Sequence, residues 1–347
     1  MQPTHRFLFN FAASFSGGGY KRLYEYAQWF NSNGGAWFII HPDCAALATE
    51  FPNNRCFVVK PSRLQRLLAD CGYLAGICRQ IGQPDLYYSY GIPVYSHVGR
   101  VNWFHLSNVL PLSSAGIPVS FYDRIRLGSL GRRIRRGFAH CEVISAESAY
   151  SLGLVGSDAA PRLFLSVNGS DDELAYIQNA SAEAKDNYAV VIGTYGHKAI
   201  RDSVAVFEML RARNPGLKLM IVGIAEAVAA DLRSKPDVVM RGVLGRPAVI
   251  ACLRRARFYI STTLIENSYN AAAEGIFIAD ESYISDIGPH RELLQGSRFE
   301  ETQVPGVERR LLRVRREHLS PGNLKTWDTV VREMIGHFRK VIDRNEH

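Results

Sequence analysis

Three short stretches of this chain carry residue types that could do chemistry. The first is Ser16-Gly17-Gly18-Gly19-Tyr20, which joins an apolar run to an amphipathic one. Glycines there let a ligand approach the backbone closely, and a helix N-terminus favours an anion. The stretch has neither G-x-G-x-x-G spacing nor the Lys-Ser/Thr of a P-loop, so a plain tight turn stays open beside that reading. The second runs from Glu266 through Asn267, Ser268, Tyr269 and Asn270 to Glu274. Asn267 or Ser268 would cap a helix through Ala271–Glu274, and the amides of its first turn suit a diphosphate. Glu266 before the helix and Glu274 in its second turn could accept hydrogen bonds from two different sugar hydroxyls. An acidic helix start that complements the dipole is the alternative. The third is Gly193-Thr194-Tyr195-Gly196-His197-Lys198, with Arg201 one turn on. Lys198 could neutralise phosphate charge there; ordinary solvation is the other account of a single lysine.

The elements that must position these residues alternate short apolar runs with longer amphipathic ones. In the first half, strands are expected at Phe7–Ala12, Ala36–His41, Cys56–Val59, Asp85–Tyr90, Pro118–Tyr122 and Glu142–Ala146. Tyr20–Phe30 and Ser62–Gln80 read as helices. In the second half Val190–Gly193, Leu217–Val222, Val238–Met240 and Phe258–Ser261 read as strands, and Arg201–Arg213 and Pro247–Arg255 as helices. Such alternation implies βαβ units and mainly parallel sheets, with ligands outside the carboxyl ends of the strands. The polar stretch from Val167 to Asn187 reads as a connection between domains, with Asp171-Asp172 in it solvated. Leu324–Ile342 carries Trp327, Val330, Met334 and Phe338 on one helical stripe.

At 347 residues the chain suggests two domains. Its 47% hydrophobic and 21% charged content excludes disorder, collagen and coiled coil as the dominant architecture. No apolar run approaches the roughly 18 residues of a membrane helix. Residues 1–11 show no secretory h-region, so a cytoplasmic protein is expected. Six scattered cysteines without a C-x-x-C pair read as reduced thiols and signal neither zinc nor redox chemistry. The net charge of +8 favours an anionic partner. It concentrates in Arg124, Arg126, Arg132, Arg133, Arg135 and Arg136, and again in Arg309, Arg310, Arg313, Arg315 and Arg316.

Taken together, the second half resembles the nucleotide-sugar domain of retaining GT-B glycosyltransferases, specifically glycosyltransferase family 4. The family's paired glutamates, seven residues between them, match Glu266 and Glu274. Its downstream SDIG…REL segment matches Ser285-Asp286-Ile287-Gly288-Pro289-His290-Arg291-Glu292-Leu293. Leu219–Gly223, Arg241-Gly242-Val243, Asn168-Gly169 and Ala139–Ser148 resemble further landmarks. The likeness covers residues 139–294 well and the remainder more loosely.

The resemblance implies an α/β fold of the GT-B type, two Rossmann-like parallel-sheet domains facing a cleft, and assigns roles. Glu274 would hold the donor ribose and Glu266 hydroxyls of the donor sugar. Lys198 and the amides of Ser268–Ala271, within the segment Asn267–Asn270, would hold the diphosphate. Gly17, Gly18 and Gly19 would approach the donor across the cleft. His105, in Trp103-Phe104-His105-Leu106, resembles the family's histidine near the reacting sugar; on its own it reads as a structural hydrogen-bonder. Thr194 stands where the family has an arginine, a place Arg201 could fill. Ala279 and Glu281 replace a glycine and a proline that shape the loop behind the donor. No metal or other cofactor is implied, and no D-x-D lies in a suitable loop.

The expected organisation is an acceptor-side domain over 1–174, a nucleotide-sugar domain over 175–320, and a C-terminal helix over 321–347 that packs back on the first. Leu127, Leu130, Ile134 and Phe138 form an apolar stripe opposite the first arginine cluster, which suits attachment to an anionic membrane surface, the inner face of the plasma membrane. Nucleic acid is not the expected partner, because no recognition motif accompanies the arginines. The reading is a retaining, metal-independent hexosyltransferase of bacterial surface polysaccharide or lipopolysaccharide synthesis. GDP-mannose stands ahead of a UDP-sugar as donor, and the acceptor is a glycan or a lipid-linked oligosaccharide. A degenerate subunit without turnover and a sugar-nucleotide epimerase are the alternatives.

Overall fold

A computed structural model describes residues 5–60, 73–113, 116–156, 162–178 and 184–345. The chain divides into two compact units. Unit 1 comprises Met1–Ser114, Phe121–Gly169 and Trp327–His347; unit 2 comprises Ala115–Ser120 and Ser170–Thr326.

Unit 1 is built on seven strands: β1 (Phe7–Phe11), β2 (Trp37–Ile40), β3 (Arg55–Val58), β4 (Leu86–Tyr90), β5 (Val101–Leu106), β6 (Val143–Ala146) and β7 (Leu163–Leu165). They pair in the order β3-β2-β1-β4-β5-β6-β7, and every pairing is parallel. Among the described residues the helices of six residues or more are α1 (Gly17–Ser32), α2 (Tyr73–Ile81), α3 (Phe121–Gly137), α4 (Asp171–Gln178), α5 (Ile200–Arg213), α6 (Arg246–Arg255), α7 (Asn270–Ile278), α8 (Gly288–Leu293) and α9 (Trp327–Asn345). The core of unit 1 is aromatic. Phe9 stacks on Phe38 at 5.1 Å and meets Tyr26 edge-on at 5.7 Å. Helix α9 closes this face, its Phe338 edge-on to Phe7 at 5.3 Å. At Gly169 even a methyl group would overlap the Trp327 ring, at 2.4 Å.

Unit 2 repeats the scheme with β8 (Asp186–Ile192), β9 (Lys218–Val222), β10 (Val238–Gly242), β11 (Ala256–Ser261), β12 (Glu281–Ser285), β13 (Phe299–Thr302) and β14 (Leu311–Arg315). The order is β10-β9-β8-β11-β12-β14-β13. The first five strands are parallel, and β14 and β13 extend the edge antiparallel. In both sheets the order reverses beside the first strand, between β1 and β4 and between β8 and β11. At such a point crossovers depart in opposite directions and leave the carboxyl ends of the two strands uncovered.

Three expectations are corrected. Pro118–Tyr122 is not a strand; α3 starts at Phe121, and the place beside β4 belongs to β5. Phe121 and Tyr122 are 79% and 75% exposed, so the apolar run that suggested a strand is not buried. The stretch after Val167 is not simply a connection, because Asp171–Gln178 is helical with three acids in its first turn, the placement that complements the dipole. The second arginine cluster is not a free basic surface. Arg313 reaches Glu281 and Glu300, and Arg310 reaches Glu301, each on a neighbouring strand. Of the helix expected at Ser62–Gln80, residues 62–72 lie outside the described residues, as does Cys71; no disulfide joins the other five cysteines to one another.

Candidate functional site

The loops that leave β8 and β11 at the unit 2 reversal are bound to each other. The Leu264 amide donates to the His197 carbonyl at 2.7 Å. The Thr262 hydroxyl donates to the Ala199 carbonyl at 2.9 Å and lies 2.6 Å from the Ser203 hydroxyl. Ala199 is the one non-glycine residue with positive φ among the described residues, at φ 47° and ψ 54°. A Cβ in that region costs roughly 1–2 kcal/mol, and such strain gathers at functional sites. It turns the chain sharply after Lys198, whose ammonium pairs with Glu266.

Glu274 sits on α7 with its side chain 9% exposed and accepts a hydrogen bond from Arg246. Arg246 also donates through Nε to Asp172 at 2.9 Å. Burial alone would lower the guanidinium pKa, but Glu274 and Asp172 outweigh it and raise it. Helix α7 lies tight on the sheet, since any side chain at Gly275 would overlap the Tyr259 ring. Its N-cap is Tyr269, without a side-chain capping bond. Neither Asn267 nor Ser268 occupies the cap position, which corrects the expectation from their residue types. The first turn opens instead with Asn270, its uncapped end suited to an anion.

The structure thus brings Lys198 and Glu266 into contact at the reversal and holds Glu274 on the helix that follows. It does not bring Arg201 to them. That guanidinium forks onto Asp231 at 2.9 and 3.2 Å in an exposed pair. Thr194 is buried and bonds the Ile224 carbonyl at 3.0 Å, packed where a side chain on Gly223 would stand. Ala279 and Glu281 fall at the other end of α7; Glu281 is held by Arg313 at 2.8 and 3.1 Å.

Three residues were missed. Arg246 opens helix α6, where a cation opposes the dipole; that mismatch in Gly245-Arg246-Pro247 is the signal that could have found it. Asp172 is exposed, as expected, but pairs with Arg246. His290, inside the quoted SDIG…REL segment, is fully buried. Its Nδ1 donates to the Ser285 carbonyl at 2.7 Å, which leaves Nε2 as an acceptor with no partner among the described residues. Burial lowers its pKa, with Glu266 and Lys198 near enough to act on it. Among the described residues no group of three or more His, Cys, Asp or Glu is placed to hold a metal ion.

In unit 1, Gly17–Gly19 form the first turn of α1, after β1. Gly17 has φ 62°, and a Cβ on Gly19 would press on Tyr90 at 3.0 Å. His105 lies on β5, fully buried and stacked at 5.0 Å on Tyr90. Its Nδ1 is 2.8 Å from the Ser145 hydroxyl and its Nε2 is 3.5 Å from Glu147. Glu147 also accepts from the Tyr90 hydroxyl at 3.0 Å and faces Arg22 at 3.7 Å. Arg22 is itself fully buried, bonded to Asn168, Ser166, Val167 and Tyr26. Burial and the Arg22 charge push the His105 pKa down to about 4. Glu147 is held at about 2: burial opposes this, but His105, Arg22 and Tyr90 overcome it. The imidazole is therefore neutral at pH 7.

Solved structures share this fold. Sucrose-phosphate synthase of Thermosynechococcus elongatus aligns with TM-score 0.58 over 84% of each chain at 11% identity. Anabaena HepE in complex with UDP and glucose aligns with TM-score 0.55 over 83% of each chain at 14% identity. Trehalose 6-phosphate synthase of Burkholderia multivorans aligns with TM-score 0.53 over 84% of each chain at 12% identity. No protein-family model and no curated protein matches the chain by sequence. The two parallel-sheet α/β domains are those of the GT-B fold.

A pH titration of stability tests the buried network. Between its ordinary value of 6.5 and about 4, His105 takes up a proton in the unfolded chain and refuses it in the folded one. Its stabilisation is complete above pH 6.5 and is lost as pH falls toward 4, by up to about 3 kcal/mol. Urea unfolding of wild type and His105→Gln across that window is expected to show the steeper fall in wild type. Parallel curves would contradict the assignment.

Proposed function

We propose that the chain is a glycosyltransferase whose unit 2 binds a nucleotide-sugar donor, and that it moves the sugar to a glycan or lipid-linked acceptor with retention. The observation that carries this is the pair of cation-held carboxylates, Lys198–Glu266 and Arg246–Glu274, at the strand reversal of a GT-B sheet. Glu274 takes the ribose hydroxyls, and Glu266 takes hydroxyls of the donor sugar. The leaving diphosphate meets Lys198 and the uncapped first turn of α7, with no metal required. As the glycosidic bond breaks, negative charge grows on the phosphate oxygen. Lys198 is already in place to receive it, and such preorganised stabilisation does most when it is strongest in the transition state. The place in bacterial surface polysaccharide synthesis follows from family resemblance.

His105 receives a positioning role in this reading. Sealed beneath Tyr90, it orients Glu147 rather than touching sugar. For the donor, the sequence places GDP-mannose ahead of UDP-sugars; likeness to a protein solved with UDP and glucose supports the uridine arm.

Helix α3 supports a second partner, an anionic membrane surface. Arg124, Arg126, Arg132, Arg135 and Arg136 are exposed and Arg133 is half-buried. Phe121, Tyr122 and Ile125 stand 56–79% exposed beside them. Aromatic groups enter the headgroup layer while each basic residue near it adds about 1 kcal/mol. Among the described residues no helix is long and apolar enough to cross a membrane. Co-sedimentation with phosphatidylglycerol vesicles is expected, and to weaken in Phe121→Ser/Tyr122→Ser. Equal binding to phosphatidylcholine vesicles would remove this partner.

The donor site is tested by a thermal-shift panel of GDP, UDP, dTDP and their sugar conjugates. One nucleotide class at about 100 times its dissociation constant should stabilise the protein by about 2.7 kcal/mol, and Glu274→Ala should abolish the shift. Lys198→Ala is expected to lower kcat by about 10²–10³. Nucleotide binding without transfer to any acceptor would favour the degenerate subunit, and a changed sugar without acceptor the epimerase. No shift from any nucleotide overturns the reading.

A further inference from the structure

A cavity with a volume of about 580 Å³ opens at the far end of the unit 2 sheet. That is within the range of small-molecule sites, roughly 300–1,000 Å³. Its floor includes Phe258 and Phe277, both nearly fully buried. Phe258 lies near the amino end of β11, whereas Glu266 follows the carboxyl end. From Phe258 to Ser261 the strand rises about 10 Å, and five more residues lead to Glu266, so the cavity is separate from the Lys198–Glu266 pair.

Its wall carries three arginines, Arg257, Arg315 and Arg316, and three carboxylates, and these pair unevenly. Of its three carboxylates, Asp280 is taken by Arg316 at 3.0 Å and Glu281 by Arg313. Glu317 is largely exposed, with only distant contacts to Arg315 and His318 at 3.8 and 3.7 Å. Arg315 has no closer carboxylate than that, its other contact being Glu281 at 3.9 Å. Arg257 has no acidic partner among the described residues, and its guanidinium lies over the Phe258 ring at 5.1 Å. Two arginines with loose or no acidic partners thus border an aromatic floor. A guanidinium matches a phosphate in fork geometry, and an apolar floor offers nothing to an anion but accepts the body that carries it.

We propose that this cavity binds a phosphate monoester carried on a small apolar or aromatic body, with the phosphate on Arg257 and Arg315 and the body against Phe258 and Phe277. The proposal is independent of the donor reading and stands or falls whether or not unit 2 binds a nucleotide. Calorimetric titration of the full chain with phenyl phosphate tests it. Inorganic phosphate (the anion without the body) and benzyl alcohol (the body without the anion) serve as controls. Phenyl phosphate is expected to bind at least about tenfold more tightly than either control, and about tenfold more weakly to Arg257→Ala. Arg257 is exposed, so its truncation leaves the fold intact, and Lys198→Ala is expected to bind phenyl phosphate like wild type. No binding, equal binding of inorganic phosphate, or a loss confined to Lys198→Ala overturns the proposal.

Discussion

The constraint on which the rest of unit 2 depends is the reversal of strand order between β8 and β11. Crossover helices must leave in opposite directions there, and the carboxyl ends of both strands are left without cover. Lys198, Glu266 and Glu274 are gathered on the loops that result and the helix that follows. The left-handed turn at Ala199 swings Lys198 across to Glu266. The close seat of α7 on Tyr259, possible only with glycine at 275, puts Glu274 within reach of Arg246. Each carboxylate is held by its own cation, so neither is buried as a naked charge, a state that would be costly.

Unit 1 uses the same reversal and spends it differently. Behind the glycine turn of α1 lies a buried polar network in which Glu147 accepts from Tyr90 and faces both Arg22 and His105 away from water. A network of this kind fixes geometry firmly when complete, because any missing partner leaves a buried polar group exposed to the low dielectric.

Much of this was legible in the sequence, for identifiable reasons. Parallel strands buried on both faces read as continuous apolar runs, so β1, β2, β8 and β9 stood out. The glutamate pair and Lys198 each also had an ordinary structural reading, and stood out through the spacing that the family resemblance supplied. The misses also have causes. The apolar start of α3 mimicked a strand because its aromatic residues face water. Strand β14 was hidden under its arginines, whose acidic partners lie on β12 and β13, far away in sequence. The cap of α7 was misplaced because Asn and Ser favour cap positions by type, while the chain placed Tyr269 there. Arg246 and Asp172 belong to the site only through folding, being 74 residues apart.

The central claim is that the loops after β8 and β11 form a nucleotide site. Amide hydrogen exchange, with and without the nucleotide that stabilises the protein, locates binding directly. The account predicts slowed exchange in 193–199 and 264–274, while the strands of unit 1 exchange as before. Protection that falls elsewhere, with these two segments unchanged, would contradict it.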